Sequence, residues 1–156
     1  MCAVAMLVRA CMRGGLVSLA LICPAAAQAD TPAQAAIRAA LTQWMADFNA
    51  GRAEKVCDLF ARDLVAQYRG QPERGYDALC DLLKRSLADR GKTYSYALAI
   101  KEILVEGDLG VVRLTWTLTV RGKDGETTSL EPGIDIFRRE ADGGWRIARY
   151  IGYESP

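Results

Sequence analysis

The chain has 156 residues, 20 of them basic and 19 acidic, and it contains no histidine. Without histidine, Ser-His-Asp and Cys-His catalysis, His-based zinc sites and haem ligation through His are excluded. The charge is nearly balanced with no basic cluster, which argues against nucleic acid as the main partner.

The first residues have the three parts of a secretory signal. Arg9 and Arg13 supply a positive start, Leu16 to Ile22 an apolar run broken only by Ser18, and Pro24 to Ala29 an Ala-x-Ala cleavage pattern. The run is too short for a permanent bilayer anchor. Residues 1–29 are therefore predicted to be a cleaved signal peptide. A single domain over 30–156 would follow, periplasmic or secreted in a bacterium, with no stable membrane anchor after processing. Cleavage takes 29 of 156 residues and leaves 127, enough for one domain with its own core.

Helical punctuation comes next. Thr31-Pro32-Ala33-Gln34 is a capping-box pattern with proline at the first helical position. Ile37, Leu41, Trp44, Met45 and Phe48 recur at helical spacing, and Asn49-Ala50-Gly51 ends the run. A short second helix is predicted near 52–61, with Val56, Leu59 and Phe60 on one face, then a brief strand over 64–69. A third helix is predicted over 75–89, with Leu79, Leu82, Leu83 and Leu87 inward and Gly91 as its stop.

Strand patterning fills the rest. Val112, Leu114, Trp116, Leu118 and Val120 alternate with Arg113, Thr115, Thr117, Thr119 and Arg121, the period of a half-buried antiparallel strand. Asp/Gly clusters at 106–108, 122–125 and 141–144 supply hairpin turns. Strands are predicted near 93–106, 109–121, 126–139 and 144–154, in a meander. Pro132-Gly133 predicts a bulge or a sheet edge, because proline donates nothing to a ladder. Helices grouped before antiparallel strands make an α+β domain with the helices on one face of the sheet.

Three of the five cysteines lie within the predicted signal, leaving Cys57 and Cys80. An even pair in an oxidising compartment is read as a disulfide that staples the second and third helices. The alternative is two separate buried thiols. Two cysteines cannot form a four-sulfur metal site. No metal and no cofactor is expected, and no Gly-x-Ser-x-Gly, Walker or Gly-x-Gly-x-x-Gly motif occurs.

Two stretches carry a family resemblance. FNAGRAEKVCDLFARDLV, at 48–65, resembles the opening of SnoaL-like proteins of the nuclear transport factor 2-like superfamily, which includes ketosteroid isomerase. GIDIFRREADGGWRIARYIGYES, at 133–155, resembles that superfamily's closing hairpin, with an inward Asp, Phe-Arg, a turn and a Trp-x-Ile strand. The resemblance spans about 35–154. It implies three N-terminal helices in the concave face of a curved, mainly antiparallel sheet, a cone-shaped α+β barrel with an apolar pocket. It places Asp135 on the isomerase's oxyanion-hole aspartate, a carboxylic acid kept protonated by its apolar site. The isomerase's oxyanion tyrosine falls at Trp44 and its basic aspartate near Tyr68-Arg69, so those two roles do not carry over.

On that architecture the pocket-lining positions are Trp44, Tyr68, Arg69, Leu114, Trp116, Leu118, Phe137, Ala148 and Tyr150, with Asp135 as the catalytic or hydrogen-bonding group. The competing reading makes Asp135 structural, paired with Arg69, Arg149 or a Tyr hydroxyl, and the aromatics filled core. Three functions follow. The first is binding of a small apolar molecule. The second is cofactor-independent isomerase, dehydratase or hydrolase chemistry through Asp135. The third is a homodimeric interaction module, joined through an outer sheet face bearing Thr115, Thr117, Thr119, Ile147, Ile151 and Tyr153.

Overall fold

A computed structural model describes residues 29–153. Residues 1–28, which hold all but the last residue of the predicted signal peptide, and the last three residues lie outside the described residues. Helix α1 spans Pro32–Asn49. Its capping box is formed: Gln34 N donates to Thr31 Oγ1 at 3.3 Å and Thr31 N donates to Gln34 Oε1 at 2.8 Å. Ile37, Leu41, Trp44 and Phe48 form its buried face. Gly51, at φ 72, turns the chain out of the helix.

The predicted second helix does not form. The residues after Gly51 make successive three-residue turns, in which Lys55 N donates to Arg52 O and Phe60 N to Cys57 O. Strand β1 then begins at Phe60 and runs to Tyr68, earlier than predicted. The parallel pairing of Phe60 with Ile147 draws residue 60 into the sheet, leaving too few residues for a stable helix. A two-residue strand β2, Arg74–Gly75, leads into helix α2, Tyr76–Ala88. There Leu79, Cys80 and Leu83 are buried. Leu82, predicted to face inward, is 36% exposed, because the inward stripe follows positions 79, 80 and 83.

The meander appears as predicted: β3 Lys92–Glu106, β4 Leu109–Gly122, β5 Gly125–Arg139 and β6 Trp145–Gly152. Strand order is β2-β1-β6-β5-β4-β3. Only β1 and β6 run parallel, so the sheet is mixed but mainly antiparallel. β2 and β3 are its two edges, so the curved sheet stays open rather than closing into a barrel. Both helices pack against it. One core, with Ile37, Leu41, Phe48, Val112, Leu114 and Phe137 at its centre, joins the layers.

Two local details decide what faces the core. β6 pairs with β5 only from Gly133 onward, and just past its end the Tyr153 N–H donates to the Pro132 carbonyl oxygen at 3.2 Å, so Pro132 has neighbours on both sides. Pro132 thus lies at the end of the β5–β6 ladder on an inner strand, neither on the edge strand nor at the bulge predicted for it. Further along, Ile136 pairs with Arg149 and Phe137 with Ile147, which leaves Ala148 as an extra residue. This bulge turns Ile147 and Ala148 inward together, at 3% and 5% exposure. Ile147, predicted for the outer face, therefore belongs to the core.

The outer face is more apolar than the sequence pattern alone showed. Leu104, Val111 and Ile136 lie abreast on β3, β4 and β5 and are exposed. Ile134 and Ile151 are paired and exposed beside them. Tyr153 is exposed too, whereas Thr115, Thr117 and Thr119 are half-buried.

The Cys57–Cys80 disulfide is present, with the Cα atoms 5.6 Å apart. It joins the turn segment before β1 to α2. No helix among the described residues is long and apolar enough to cross a membrane.

Candidate functional site: an aromatic pocket with two carboxyls

The pocket opens because two glycines face each other. Gly133 on β5 pairs with Gly152 on β6, and both line a cavity of about 90 Å³. A side chain has no room at Gly133, and at Gly152 it would fit only if neighbouring rings shifted. A Cβ on Gly133 would stand 2.8 Å from the Ile151 carbonyl oxygen, and one on Gly152 would press the Tyr150 and Tyr68 rings at 3.1 and 3.3 Å.

Aromatic rings make one wall. Trp44 reaches in from α1 and is held by its indole N–H, which donates to the Val56 carbonyl at 2.8 Å. Its ring meets Trp116 at 5.2 Å and Tyr96 at 5.6 Å between centroids, in tilted and edge-to-face contacts. Such contacts are favourable beyond the area they bury. Leu59, Phe60, Leu79 and Leu83 complete the helical side. The disulfide fixes those two segments to each other.

The strand side carries the polar groups. Asp135 is 3% exposed, opposite Tyr150 in the β5–β6 ladder. Among the described residues its Oδ2 has no hydrogen-bond partner. Burial alone pushes its pKa up to about 7. Burial, and then the negative charge of Asp135, pushes Tyr150 up to about 12. Burial, followed by Glu131, holds Tyr96 far above the usual phenol range. Both phenols therefore remain neutral donors at physiological pH. A carboxyl near half-protonation can donate or accept a hydrogen bond at neutrality, so Asp135 is equipped for either.

Most of the predicted positions converge here. Trp44, Tyr68, Leu114, Trp116, Asp135 and Tyr150 line the cavity. Four predicted lining positions do not. Arg69 lies exposed just past β1, where its backbone N–H donates to the Gly152 carbonyl oxygen at 3.0 Å. Leu118 is half-buried beyond Trp116 along β4 and does not line the cavity. Phe137 is fully buried in filled core, two residues past Asp135. Ala148 is buried at the bulge. The structural pairing weighed for Asp135 does not form with arginine: among the described residues no ion pair joins it to Arg69 or Arg149. Arg149 instead donates to the Asp63 carbonyl oxygen at 2.9 Å.

Two polar lining residues went unrecognised in the sequence. Glu131 is four residues before Asp135, so a strand's alternation puts both on one face. Pro132-Gly133 obscured that period. Tyr96 sits in an alternating Tyr94-Tyr96-Leu98-Ile100 run on β3, the same signal used for β4. Among the described residues no group of three or more His, Cys, Asp or Glu side chains comes together to hold a metal ion.

Solved structures share this architecture. A ketosteroid isomerase-like protein from Erwinia carotovora atroseptica is 25% identical, with a TM-score of 0.67 over 81% of this chain and 100% of its own. A conserved protein from Planctomyces limnophilus is 19% identical, with a TM-score of 0.70 over 80% and 97%. An NTF2-like protein with a cystatin-like fold from Novosphingobium aromaticivorans is 20% identical, with a TM-score of 0.64 over 77% and 80%. No functionally curated protein matches the chain. The SnoaL-like domain model matches residues 41–150, most of the chain, and the protein belongs to that family, within the NTF2-like, ketosteroid isomerase-like fold group.

Proposed function

We propose that this is an exported binding domain whose pocket takes a small, largely apolar molecule and meets its one polar group with Asp135. The observation that carries the reading is the buried Oδ2 of Asp135, unpartnered among the described residues, at the wall of an aromatic cavity. A buried polar atom without a partner is costly, and a ligand group can relieve that cost. Apolar walls with few converging polar groups are the usual makeup of ligand pockets. The signal pattern of residues 1–29 and the Cys57–Cys80 bridge support a periplasmic or secreted site of action. N-terminal sequencing of exported material should begin near Asp30. An intact Met1 form held in the membrane would refute export.

Binding is tested by tryptophan fluorescence, since Trp44 and Trp116 line the cavity. A ligand that quenches the parent should bind Asp135→Asn at least about tenfold more weakly, the cost of one lost polar contact. Unchanged affinity in that variant would remove Asp135 from the site.

A second reading is cofactor-independent proton transfer, favoured by the Asp135 pKa of about 7, close to that of an effective acid or base at neutral pH. It requires turnover that follows one ionisation near that value and disappears in Asp135→Asn. A third is a homodimer through the outer sheet face, favoured by the exposed row Leu104, Val111 and Ile136. Sedimentation should then show a dimer in the parent and a monomer in Ile136→Lys.

A further inference from the structure

A thin partition divides the pocket from the surface on the α1 side. Trp44 and Leu59 line the cavity of about 90 Å³, and both also line a broader outer cleft of about 550 Å³ bordered by α1, the turn segment before β1 and Trp145. Trp44 is the larger of the two side chains, and it is fixed in place. It is 7% exposed, and its indole N–H donates to the Val56 carbonyl oxygen at 2.8 Å. Its ring packs against Phe48 at 5.4 Å and Phe60 at 6.1 Å, in addition to Tyr96 and Trp116. The acceptor is held as well. Cys57, the next residue, is bridged to α2. Arg52 is tied to Asp47 of α1 by an ion pair and by its backbone N–H, which donates to the Asp47 carbonyl oxygen at 3.0 Å. Swinging the indole aside would break a buried hydrogen bond and several ring contacts together.

From this placement we infer that Trp44 is the specificity-determining residue of the pocket: it ends the cavity at a size that takes a guest no larger than one small ring, with its polar group at Asp135, and it shuts out fused-ring skeletons. The inference rests on the binding-pocket reading above and adds the size class of the ligand and the residue that sets it. Volume supports it. An apolar cavity of about 150 Å³ is known to hold benzene, and this one is about 90 Å³. A wall packed to interior density takes in a second ring only by displacing side chains. Where room exists, each further CH₂ strengthens apolar binding about fourfold. Affinity therefore rises with ligand size in an open cleft and falls in a closed one. Removing the indole joins the cavity to the outer cleft and should reverse the order.

The test uses cyclopentanol and decahydro-2-naphthol, each a single hydroxyl on a saturated ring skeleton. Both are titrated into the purified protein by calorimetry at neutral pH. The parent should bind cyclopentanol at least about tenfold tighter. Trp44→Ala should reverse the order, with decahydro-2-naphthol tighter by about tenfold or more. A purely structural tryptophan would instead weaken both probes alike. Trp44→Phe keeps an aromatic ring in the core, loses the rest of the indole and should narrow the preference; it carries the test if the alanine variant fails to fold. A parent that prefers decahydro-2-naphthol would overturn the size limit and leave the pocket reading standing. A preference for cyclopentanol that persists unchanged in the folded Trp44 variants would overturn the role of Trp44. Saturable binding of neither probe to the parent would overturn the pocket reading itself, and the inference with it.

Discussion

Replacing Asp135 by asparagine should stabilise the protein at high pH and do much less at low pH. The native carboxyl keeps its proton to about pH 7, because burial raises its pKa from 3.8. In the unfolded chain it loses that proton near the ordinary value of ~3.9. Between those values the native state holds more protons than the unfolded state, so stability falls as pH rises. The gap of about three pH units corresponds to about 4 kcal/mol in all. About 2.5 kcal/mol of it falls between roughly pH 5 and pH 8, by linkage. Asparagine has the same shape and no charge to ionise, so the variant lacks this loss. Urea unfolding of parent and variant at both pH values measures it, and taking the variant's difference cancels every other titrating group. The advantage of Asp135→Asn should therefore grow by about 2.5 kcal/mol from pH 5 to pH 8. A difference that stays the same at both pH values would refute the reasoning: Asp135 would then be hydrated, or paired with a cation that holds it ionised.

Unreduced protein should show no reactive thiol, and replacing Cys57 and Cys80 by serine should lower stability by about 3 kcal/mol for a bridge spanning 23 residues; labelling of both cysteines without reductant would contradict this. Phe137→Ala, at a fully buried ring, should destabilise by about 3–5 kcal/mol, whereas Ile151→Ala, at 59% exposure, should change stability by no more than about 0.5 kcal/mol. A larger loss at Ile151 in denaturation curves would mean that this face is covered by a second copy. Gly133→Ala forces a Cβ to 2.8 Å from the Ile151 carbonyl and should destabilise by about 1–3 kcal/mol while narrowing the pocket; a stable variant with unchanged probe binding would show that the β5–β6 spacing yields there.

Local patterning was enough for the elements whose cause is local. Thr31-Pro32-Ala33-Gln34 caps α1 because the partners in a capping box are three residues apart. β4 alternates because its two faces meet different surroundings, and its bounds follow from the turns at Gly107 and Gly125. Asp135 stood out because a carboxyl between two isoleucines on a strand contradicts its neighbours. The remaining features depend on residues far apart in the chain. Residues 52–59 have helical spacing, yet β1 takes Phe60 into a parallel ladder with Ile147, 87 positions later. The bulge at Ala148 brings Ile147 inward, and nothing within a few residues of 147 specifies which residue the ladder skips. Glu131 and Asp135 share the inward face of β5, but that this face borders a cavity rather than filled core depends on the β5–β6 pairing of Gly133 with Gly152. The cavity itself exists where Gly133 meets Gly152 and Trp44 is anchored to Val56. Periodicity marks the inward face of a strand or helix, but whether opposing inward faces touch or leave a gap depends on the volumes of side chains that only folding brings together.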